Sequence, residues 1–454
     1  MLAVTLVVLS LLFLLSFVIF DTDLLAPPTA VALVFLFGCF CTFYNEERWG
    51  LEFSPKTTGL IAACILATMV GGIIGVCISR YPKIGKYSFS HEVVLPKEIV
   101  IQPLKTYLVM AFQLLAFYLI YSHIRRVTGS SGLLSAIGKY RQLTASVTTD
   151  VNDPTLKMSF ITKNVLQASK MISVVYAYIV GNNLIASKRK ISLSWVPVIL
   201  YSLTTFIQGD RSNMIRLWVV VLIVAYTIHK RAVGWKKSKS TRKMVRRMAI
   251  SLVVLAALFS GIRGFVGRTS DKDPLYYITF YAGSPIAILD QYWVNPIEKP
   301  DVFGQKTFYY LNQSLTALIG WPGKYNYYSD FITSPNGTSI GNAPTAIRPT
   351  YVEFGFWGFF LLFALFGVFY MVLYCKSRKP SGDNPIDFRL LMYAYIAYVF
   401  LMYFYASFLD FLSHLYIKYM VEMLLVRWFL VGKKYKPNIH LFSRGNRNDM
   451  ESSF

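Results

Sequence analysis

Residues 216–247 read RLWVVVLIVAYTIHKRAVGWKKSKSTRKMVRR, an apolar run that ends in a strongly basic stretch. The run has the composition of a membrane-spanning helix. The stretch that follows it, residues 230–247, carries nine Lys and Arg residues and no acid. Short loops of this kind stay on the cytoplasmic side of a membrane. This segment therefore predicts a helical membrane protein and also gives its orientation.

The composition of the whole chain agrees with that prediction. The 454 residues are 55% hydrophobic and only 15% charged, whereas a soluble domain carries about a quarter charged residues. These values exclude a cytosolic enzyme, a nucleic-acid binder and a secreted disulfide scaffold. The formal charge of +23 therefore reports topology first, and a preference for anionic lipids or ligands second.

The five cysteines all lie within or at the ends of apolar runs, and they form no CxxC or Cys/His metal spacing. We expect them to be small apolar filler in helices. The sequence predicts neither a metal site nor a cofactor.

We predict an all-α polytopic protein with about eleven transmembrane helices. The apolar runs lie at residues 2–20, 24–44, 59–79, 104–122, 166–186, 191–208, 212–229, 248–262, 356–374, 387–408 and 413–431. Placing the basic segments inside puts the N-terminus outside and the C-terminus in the cytoplasm.

The predicted organisation follows from these spans. Residues 1–262 hold spans one to eight, with an external segment at 123–165 and the cytoplasmic basic loop at 230–247. Residues 263–355 form a long external loop that is partly helical, with a short amphipathic helix expected over 274–293. Residues 356–431 hold the last three spans, and residues 432–454 form a cytoplasmic tail.

The predicted external side carries isolated arginines in surroundings with few acids. Arginine suits bidentate binding of phosphate, and ionisable residues at membrane depth are functional candidates. Several arginines from separate loops would form a clamp for a diphosphate. The alternative is that each one reaches lipid phosphates or pairs with a nearby acid. The candidates for substrate binding are Arg141, Arg211, Arg216, Arg263 and Arg348.

The long loop is also rich in Tyr and Trp, whose rings pack on the apolar faces of sugars. An interfacial aromatic belt would explain the same composition. Acids on the predicted external side include Asp210, Asp290 and Glu353. His414 opens the last span and is a candidate general base, because the ordinary pKa of histidine lies near neutrality. A structural polar stripe with Lys418 and Glu422 is the alternative for His414.

Three segments resemble a known family. They are GDRS at 209–212, which opens a span before the basic loop, YAGSPIAILD at 281–290, and TAIRPTYVEFG at 345–355. Together with the loop order, they resemble the oligosaccharide repeat unit polymerases, that is, the Wzy-type O-antigen and capsule polymerases. The chain departs from the family at Asp210, where the turn is commonly Gly-Ser-Arg-Gly-like, and at Glu353, where Asp is commoner.

The resemblance implies a C-type-like, metal-independent glycosyltransferase in the cytoplasmic (inner) membrane of a bacterium. Its donor and acceptor would be undecaprenyl-pyrophosphate-linked oligosaccharides, and membrane lipid and a chain-length regulator protein are candidate partners. By position, Arg141, Arg211 and Arg348 match the family's arginines. The catalytic candidates are His414, Arg211, Arg348, Asp290 and Glu353, and Tyr281 and Tyr351 within the quoted motifs are candidates for substrate binding.

Two other functions fit part of the pattern. A ligase that moves a finished glycan to another acceptor differs only in that acceptor, which the sequence does not specify. A flippase for lipid-linked oligosaccharides would more often have twelve or more spans in two related halves. The chain shows no internal repeat, and its long loop favours the polymerase.

Overall fold

The computed structural model describes residues 1–80, 94–146, 156–187, 192–235, 239–261, 273–296, 299–321, 331–382, 384–406 and 409–432. Helices dominate these residues, and their only strands form a short antiparallel hairpin. The helices are α1 Leu2–Ile19, α2 Pro27–Tyr44, α3 Glu46–Trp49, α4 Pro55–Arg80, α5 Pro103–Thr128, α6 Leu133–Ser146, α7 Phe160–Ala186, α8 Trp195–Gln208, α9 Arg211–Val233, α10 Lys239–Gly261, α11 Pro274–Gln291, α12 Tyr309–Ile319, α13 Ile347–Ser377, α14 Phe388–Leu401 and α15 Leu415–Val431. The strands are β1 Ile332–Thr333 and β2 Ser339–Gly341.

Six helices within the described residues are long and apolar enough to cross a membrane. They cover Leu2–Ile19, Pro27–Tyr44, Pro55–Ser79, Pro103–Thr128, Ser212–Val233 and Ile347–Ser377. The chain is therefore an α-helical membrane protein, as its composition predicts. Each of the eleven predicted spans overlaps a helix, but α8 and α14 are shorter apolar helices of 14 residues, and α14 ends at Leu401, before the predicted end at 408. The total of eleven crossings stays a prediction.

The chain forms two compact units, and each is assembled from separate stretches of sequence. The first unit contains Met1–Ser90, Lys272–Ser377 and Ile396–Lys418. The second unit contains His91–Asp271, Arg378–Tyr395 and Tyr419–Phe454.

In the first unit, α4 and α13 pack closely because glycines face the contact. A Cβ atom on Gly71 would collide with the carbonyl oxygen of Ala364, and one on Gly367 would lie 2.6 Å from the carbonyl oxygen of Thr68. Small residues let the backbones of membrane helices approach each other in this way. The close approach fixes α13, which carries Arg348 and Glu353, on the unit.

Helix α11 lies within the predicted external loop and packs against α2 in the first unit. The hydroxyl of Thr42 donates a hydrogen bond to the carbonyl oxygen of Gly283, at 3.0 Å. From Ala282 to Gln291 every residue is buried. The sequence predicts a short helix over 274–293, and α11 lies within these bounds. The second half of α11 is buried, whereas its first two residues are exposed.

Helix α13 changes direction at Gly355, where the backbone has φ 65° and ψ −174°. Residues other than glycine almost never adopt this conformation. The kink separates a short arm at 347–354, which holds Arg348 and Glu353, from an apolar arm at 356–377. Because of this glycine, the polar arm is not forced to continue along the axis of the apolar helix.

The second unit is organised around α7, which packs against α5, α8 and α9. A Cβ atom on Gly181 would lie 2.7 Å from the carbonyl oxygen of Val221, so α7 and α9 are in close backbone contact. In the apolar interior, the Gln113 side chain donates to the Ser173 hydroxyl at 2.6 Å and to the Pro197 carbonyl at 3.1 Å. These contacts join α5, α7 and α8, while the contact at Gly181 joins α7 to α9.

Candidate functional site

Arg216 is buried in the second turn of α9, with 5% of its surface exposed. Its Nη1 atom donates a hydrogen bond to the phenol oxygen of Tyr395 at 3.3 Å, and its Cζ atom lies 5.1 Å from the centroid of the same ring. A charged group at this depth is expensive unless its surroundings stabilise it. The phenol and the ring of Tyr395, on α14, both supply such stabilisation.

A second cation approaches the same ring. Nζ of Lys170, on α7, lies 5.8 Å from the ring centroid of Tyr395 and 5.5 Å from that of Tyr419 on α15. Since both cations are measured to the Tyr395 centroid, they lie within about 11 Å of each other, a range at which like charges repel inside a protein.

The contacts of Lys170 continue along α7 and α15. The side-chain amide of Gln167 donates to both carboxylate oxygens of Glu422, at 3.0 and 3.1 Å. Gln167 precedes Lys170 by three residues, and Glu422 follows Tyr419 by three, so the two helices meet in antiparallel register. We call this group of residues the Arg216 cluster: Gln167, Lys170, Arg216, Tyr395, Tyr419 and Glu422.

Two other predicted arginines belong to the same unit. Gly209 takes the left-handed conformation that ends α8, and Asp210 then caps α9 by accepting a hydrogen bond from the backbone N–H of Asn213 at 3.2 Å. A Cβ atom on Gly209 would lie 3.6 Å from Cδ of Arg141. Nη1 of Arg141 is buried and has no hydrogen-bond partner among the described residues. Arg141 thus lies beside the turn that starts α9.

Arg211 is the first residue of α9, so it follows this turn directly. Its side chain is outside what the structure describes, and Arg263 lies outside the described residues altogether. Of the predicted diphosphate clamp, the second unit therefore brings Arg141 and Arg216 to the first two turns of α9.

Arg348 and Glu353 lie on the short arm of α13 in the first unit, and both are buried. The two carboxylate oxygens of Glu353 accept hydrogen bonds from the backbone N–H groups of Lys306 and Thr307, at 2.7 and 3.0 Å. These bonds anchor the segment that precedes α12. Glu353 thus holds a loop in place, and its predicted catalytic role stays a prediction.

Asp290, near the end of α11, caps another helix. Its Oδ1 atom accepts hydrogen bonds from the backbone N–H of Ser54 at 2.8 Å and from the hydroxyl of Thr57 at 2.6 Å, at the start of α4. Burial raises the pKa of Asp290, and the bonds from Thr57 and Ser54 oppose that shift. These hydrogen bonds give Asp290 a structural role. Its predicted catalytic role stays a prediction.

The bond to Thr57 also positions an aromatic group. The indole N–H of Trp293 donates to the Thr57 hydroxyl at 2.8 Å, and the Trp293 ring lies 5.9 Å from the ring of Tyr351 between centroids. Nζ of Lys56 lies 5.2 Å from the centroid of the Trp293 indole. Trp293 and Tyr351 are both half-buried, so their rings keep exposed surface. This surface suits the apolar face of a sugar ring.

The remaining candidates of the first unit are Tyr281 and His414. Tyr281 packs within α11 against Tyr277, with ring centroids 4.9 Å apart. The backbone N–H of His414 donates to the hydroxyl of Ser314 on α12 at 2.9 Å. The ring Nδ1 of His414 is buried, without a hydrogen-bond partner in the part of the chain that the structure describes. These contacts tie the start of α15 to α12.

Sequence reasoning missed Lys170 and Tyr395. A signal for Lys170 was present, because it is a lysine inside the apolar run 166–186, where charged residues mark functional candidates. Tyr395 carried no comparable signal, since tyrosine is common in apolar helices. Over the described residues, no group of three or more His, Cys, Asp or Glu side chains is arranged to hold a metal ion.

Comparisons with protein-family models, with curated proteins and with solved structures found no match to this chain.

Proposed function

We propose that this protein polymerises lipid-linked oligosaccharide repeat units on the outer side of a bacterial cytoplasmic membrane. The growing glycan would be transferred from undecaprenyl pyrophosphate to the non-reducing end of an incoming lipid-linked repeat unit. The sequence motifs at 209–212, 281–290 and 345–355 support this class of reaction by resemblance.

The observation that carries the proposal is the pair of cations at Tyr395. In the transfer, the bond between the anomeric carbon and the pyrophosphate oxygen breaks, and the electron pair stays on that oxygen. Preorganised cationic donors stabilise such developing charge, and enzymes usually gain more rate from this stabilisation than from any other effect. Arg216 offers a planar fork for phosphate oxygens, and Lys170 adds a second positive charge at the same ring.

The start of α9 also favours binding of an anion. The N-terminal end of a helix carries partial positive charge and favours phosphate groups. The buried Nη1 of Arg141 is a donor with no described acceptor beside that end. A diphosphate near the first two turns of α9 would satisfy this donor.

The acceptor hydroxyl must lose its proton when the new C–O bond forms. His414 is the base that the sequence predicts. Solvent is the other destination, since a C–O bond that breaks ahead of attack leaves an electrophile that needs only a weak base. Arg211 and Arg348 remain the arginines that the family resemblance assigns to the substrate.

Two experiments test the function. In cells, deleting the gene should reduce the surface glycan to a single repeat unit, and the wild-type gene should restore long chains. The second experiment uses purified protein and a lipid-linked repeat unit. Arg216→Met should lower the polymerisation rate by about 100-fold or more, because other enzymes lose about this much rate when one preorganised hydrogen-bond donor is removed. Lys170→Met should lower the rate by a smaller factor.

The matched control is Lys163→Met, which removes an exposed lysine from the same helix as Lys170. It should polymerise at the wild-type rate. Wild-type rates in Arg216→Met would remove the Arg216 cluster from the reaction. Transfer of finished glycan to a different acceptor, with no chain growth, would identify a ligase instead.

A further inference from the structure

Helix α10 has two halves of opposite character. Its first half carries five basic residues and no acid, and all five side chains are exposed: Lys239, Arg242, Lys243, Arg246 and Arg247. Its second half, residues 248–261, contains no charged residue. A single helix thus joins a basic surface directly to an apolar one.

The apolar half is open to its surroundings where its side chains are described. Leu252, Val253 and Val254 are 51%, 69% and 51% exposed. Three consecutive residues of a helix point in three different directions, so this part of α10 is uncovered on most sides. In a membrane protein, such a surface faces the hydrocarbon of the bilayer.

The length of the apolar half of α10 shows where the basic half lies relative to the bilayer. Fourteen apolar residues extend about 21 Å as a helix, which is less than the hydrocarbon core of about 30 Å. The apolar half therefore has no length to spare, and the basic half stays outside the hydrocarbon, among the headgroups of the surface next to it.

The end of α9 beside α10 also carries basic residues, and a tryptophan follows it. The Ser240 hydroxyl lies 3.4 Å from Nε2 of His229, which joins the start of α10 to the last turns of α9. There, Nζ of Lys230 donates to the carbonyl oxygen of Trp235 at 3.2 Å, and Cζ of Arg378 lies 4.5 Å from the Trp235 ring. Tryptophan is enriched at the level of lipid headgroups, so this end of the second unit also lies at the surface.

We propose that the basic half of α10 is a binding site for the headgroups of anionic phospholipids. The ligand chemistry is a phosphodiester next to an acyl chain, because the basic side chains continue without a break into an exposed apolar helix. The proposal does not depend on glycan transfer, and its test uses no glycan.

The test compares two variants that each lose three positive charges from exposed positions of the second unit. The test variant is Arg242→Gln/Lys243→Gln/Arg246→Gln, and the control variant is Lys139→Gln/Lys157→Gln/Lys163→Gln. The full-length protein in zwitterionic detergent micelles is titrated with phosphatidylglycerol, and the midpoint of thermal unfolding is followed. Each Lys or Arg near an anionic surface changes lipid affinity by about fivefold, so the test variant should bind about 100-fold more weakly.

Phosphatidylglycerol should stabilise the wild-type protein and the control variant at the same concentrations, while phosphatidylcholine stabilises neither. Equal responses of all three proteins to phosphatidylglycerol would overturn the proposal. Equal stabilisation by inorganic phosphate would assign the site to free phosphate, and would also overturn it.

Salt provides a measurement that needs no variant. Raising sodium chloride from 0.05 to 0.5 M shortens the screening length and should weaken the response of the wild-type protein to phosphatidylglycerol. A response that salt leaves unchanged would show that the lipid binds through its acyl chains alone, which contradicts the proposal.

Discussion

The guanidinium of Arg216 contacts Tyr395 twice, through a hydrogen bond of 3.3 Å to the phenol oxygen and through the face of the ring. A neutral phenol orients a guanidinium without cancelling its charge. Arg216 therefore has a fixed orientation, which the proposed binding of a pyrophosphate would use.

The hydroxyl of Tyr395 can be tested separately from its ring. Tyr395→Phe keeps the ring beside Arg216 and Lys170 but removes the acceptor that orients Arg216. We expect the polymerisation rate to fall by about 10- to 100-fold, because hydrogen bonds to charged groups contribute about 1.5–3 kcal/mol. Polymer formed per unit time by the purified protein measures this. Tyr107→Phe, at an exposed position on α5, is the control, and equal rates for both variants would exclude an orienting role.

His414 should contribute less than the arginines. We expect His414→Ala to leave slow polymerisation with donor binding intact, since help from a general base is worth about 10²–10⁴-fold. Arg348→Ala should abolish polymer. The measurement is the rate on a lipid-linked repeat unit across pH 5.5–8.5. A wild-type rate for His414→Ala at every pH would end its assignment as a base.

Asp290 should make stability depend on pH. Burial raises its pKa above the ordinary value of 3.8, so the folded protein holds this proton more tightly than the unfolded chain does. The contribution of Asp290 to stability therefore falls as pH rises from about 4 through its folded pKa. Asp290→Asn should flatten this part of the dependence, as measured by thermal unfolding in detergent.

The control for Asp290 is Asp273→Asn, which replaces an exposed carboxylate at the other end of α11. Asp273→Asn should keep the dependence of stability on pH that Asp290 produces. A slope that is unchanged in Asp290→Asn would show that other groups cause it.

Gly355→Ala should destabilise the protein through its backbone alone. A Cβ atom at Gly355 meets no atom within 4 Å, but the φ of 65° with ψ −174° is strained for alanine. We expect a loss of about 1–3 kcal/mol in the free energy of unfolding. Gly59→Ala, at an exposed helical position of α4 with equally open space, should be neutral or stabilising. A loss of the same size at Gly59 would contradict the assignment of strain to Gly355.

The predicted orientation can be checked with single cysteines. Residues 239 and 333 are both exposed, and they lie on the predicted cytoplasmic and external sides. In a background without the five native cysteines, Lys239→Cys should be protected from impermeant thiol reagents in intact cells, and Thr333→Cys should be labelled. Labelling of both positions would reject the predicted orientation.

The helices of the membrane could be predicted from the sequence because hydropathy determines which segments enter a bilayer. The same signal placed the start of the eighth span at 248, whereas α10 begins at Lys239. Hydropathy does not report this basic first half, although Lys and Arg are good helix formers. The predicted eighth span thus coincides with the apolar half of a longer helix, and its crossing of the membrane stays a prediction.

The site was predictable only in part. Arg216 stood out because a charge within an apolar run must be stabilised by something. Its partner Tyr395 lies 179 residues further along the chain, and the contact between Asp290 and Thr57 joins residues 233 apart. Such pairings depend on how helices pack, and no local pattern in one sequence reports them.

Gly355 has a consequence for how α13 responds to its membrane. The tilt of the apolar arm at 356–377 depends on the thickness of the surrounding bilayer, since a long apolar helix tilts to match it. The short arm at 347–354 is held instead by the bonds of Glu353 to the backbone of residues 306 and 307. Because the apolar arm packs closely on α4 at Ala364 and Gly367, a change in bilayer thickness would tilt the two helices together. The backbone of Gly355 separates that tilt from the short arm, so Arg348 keeps its place in the protein.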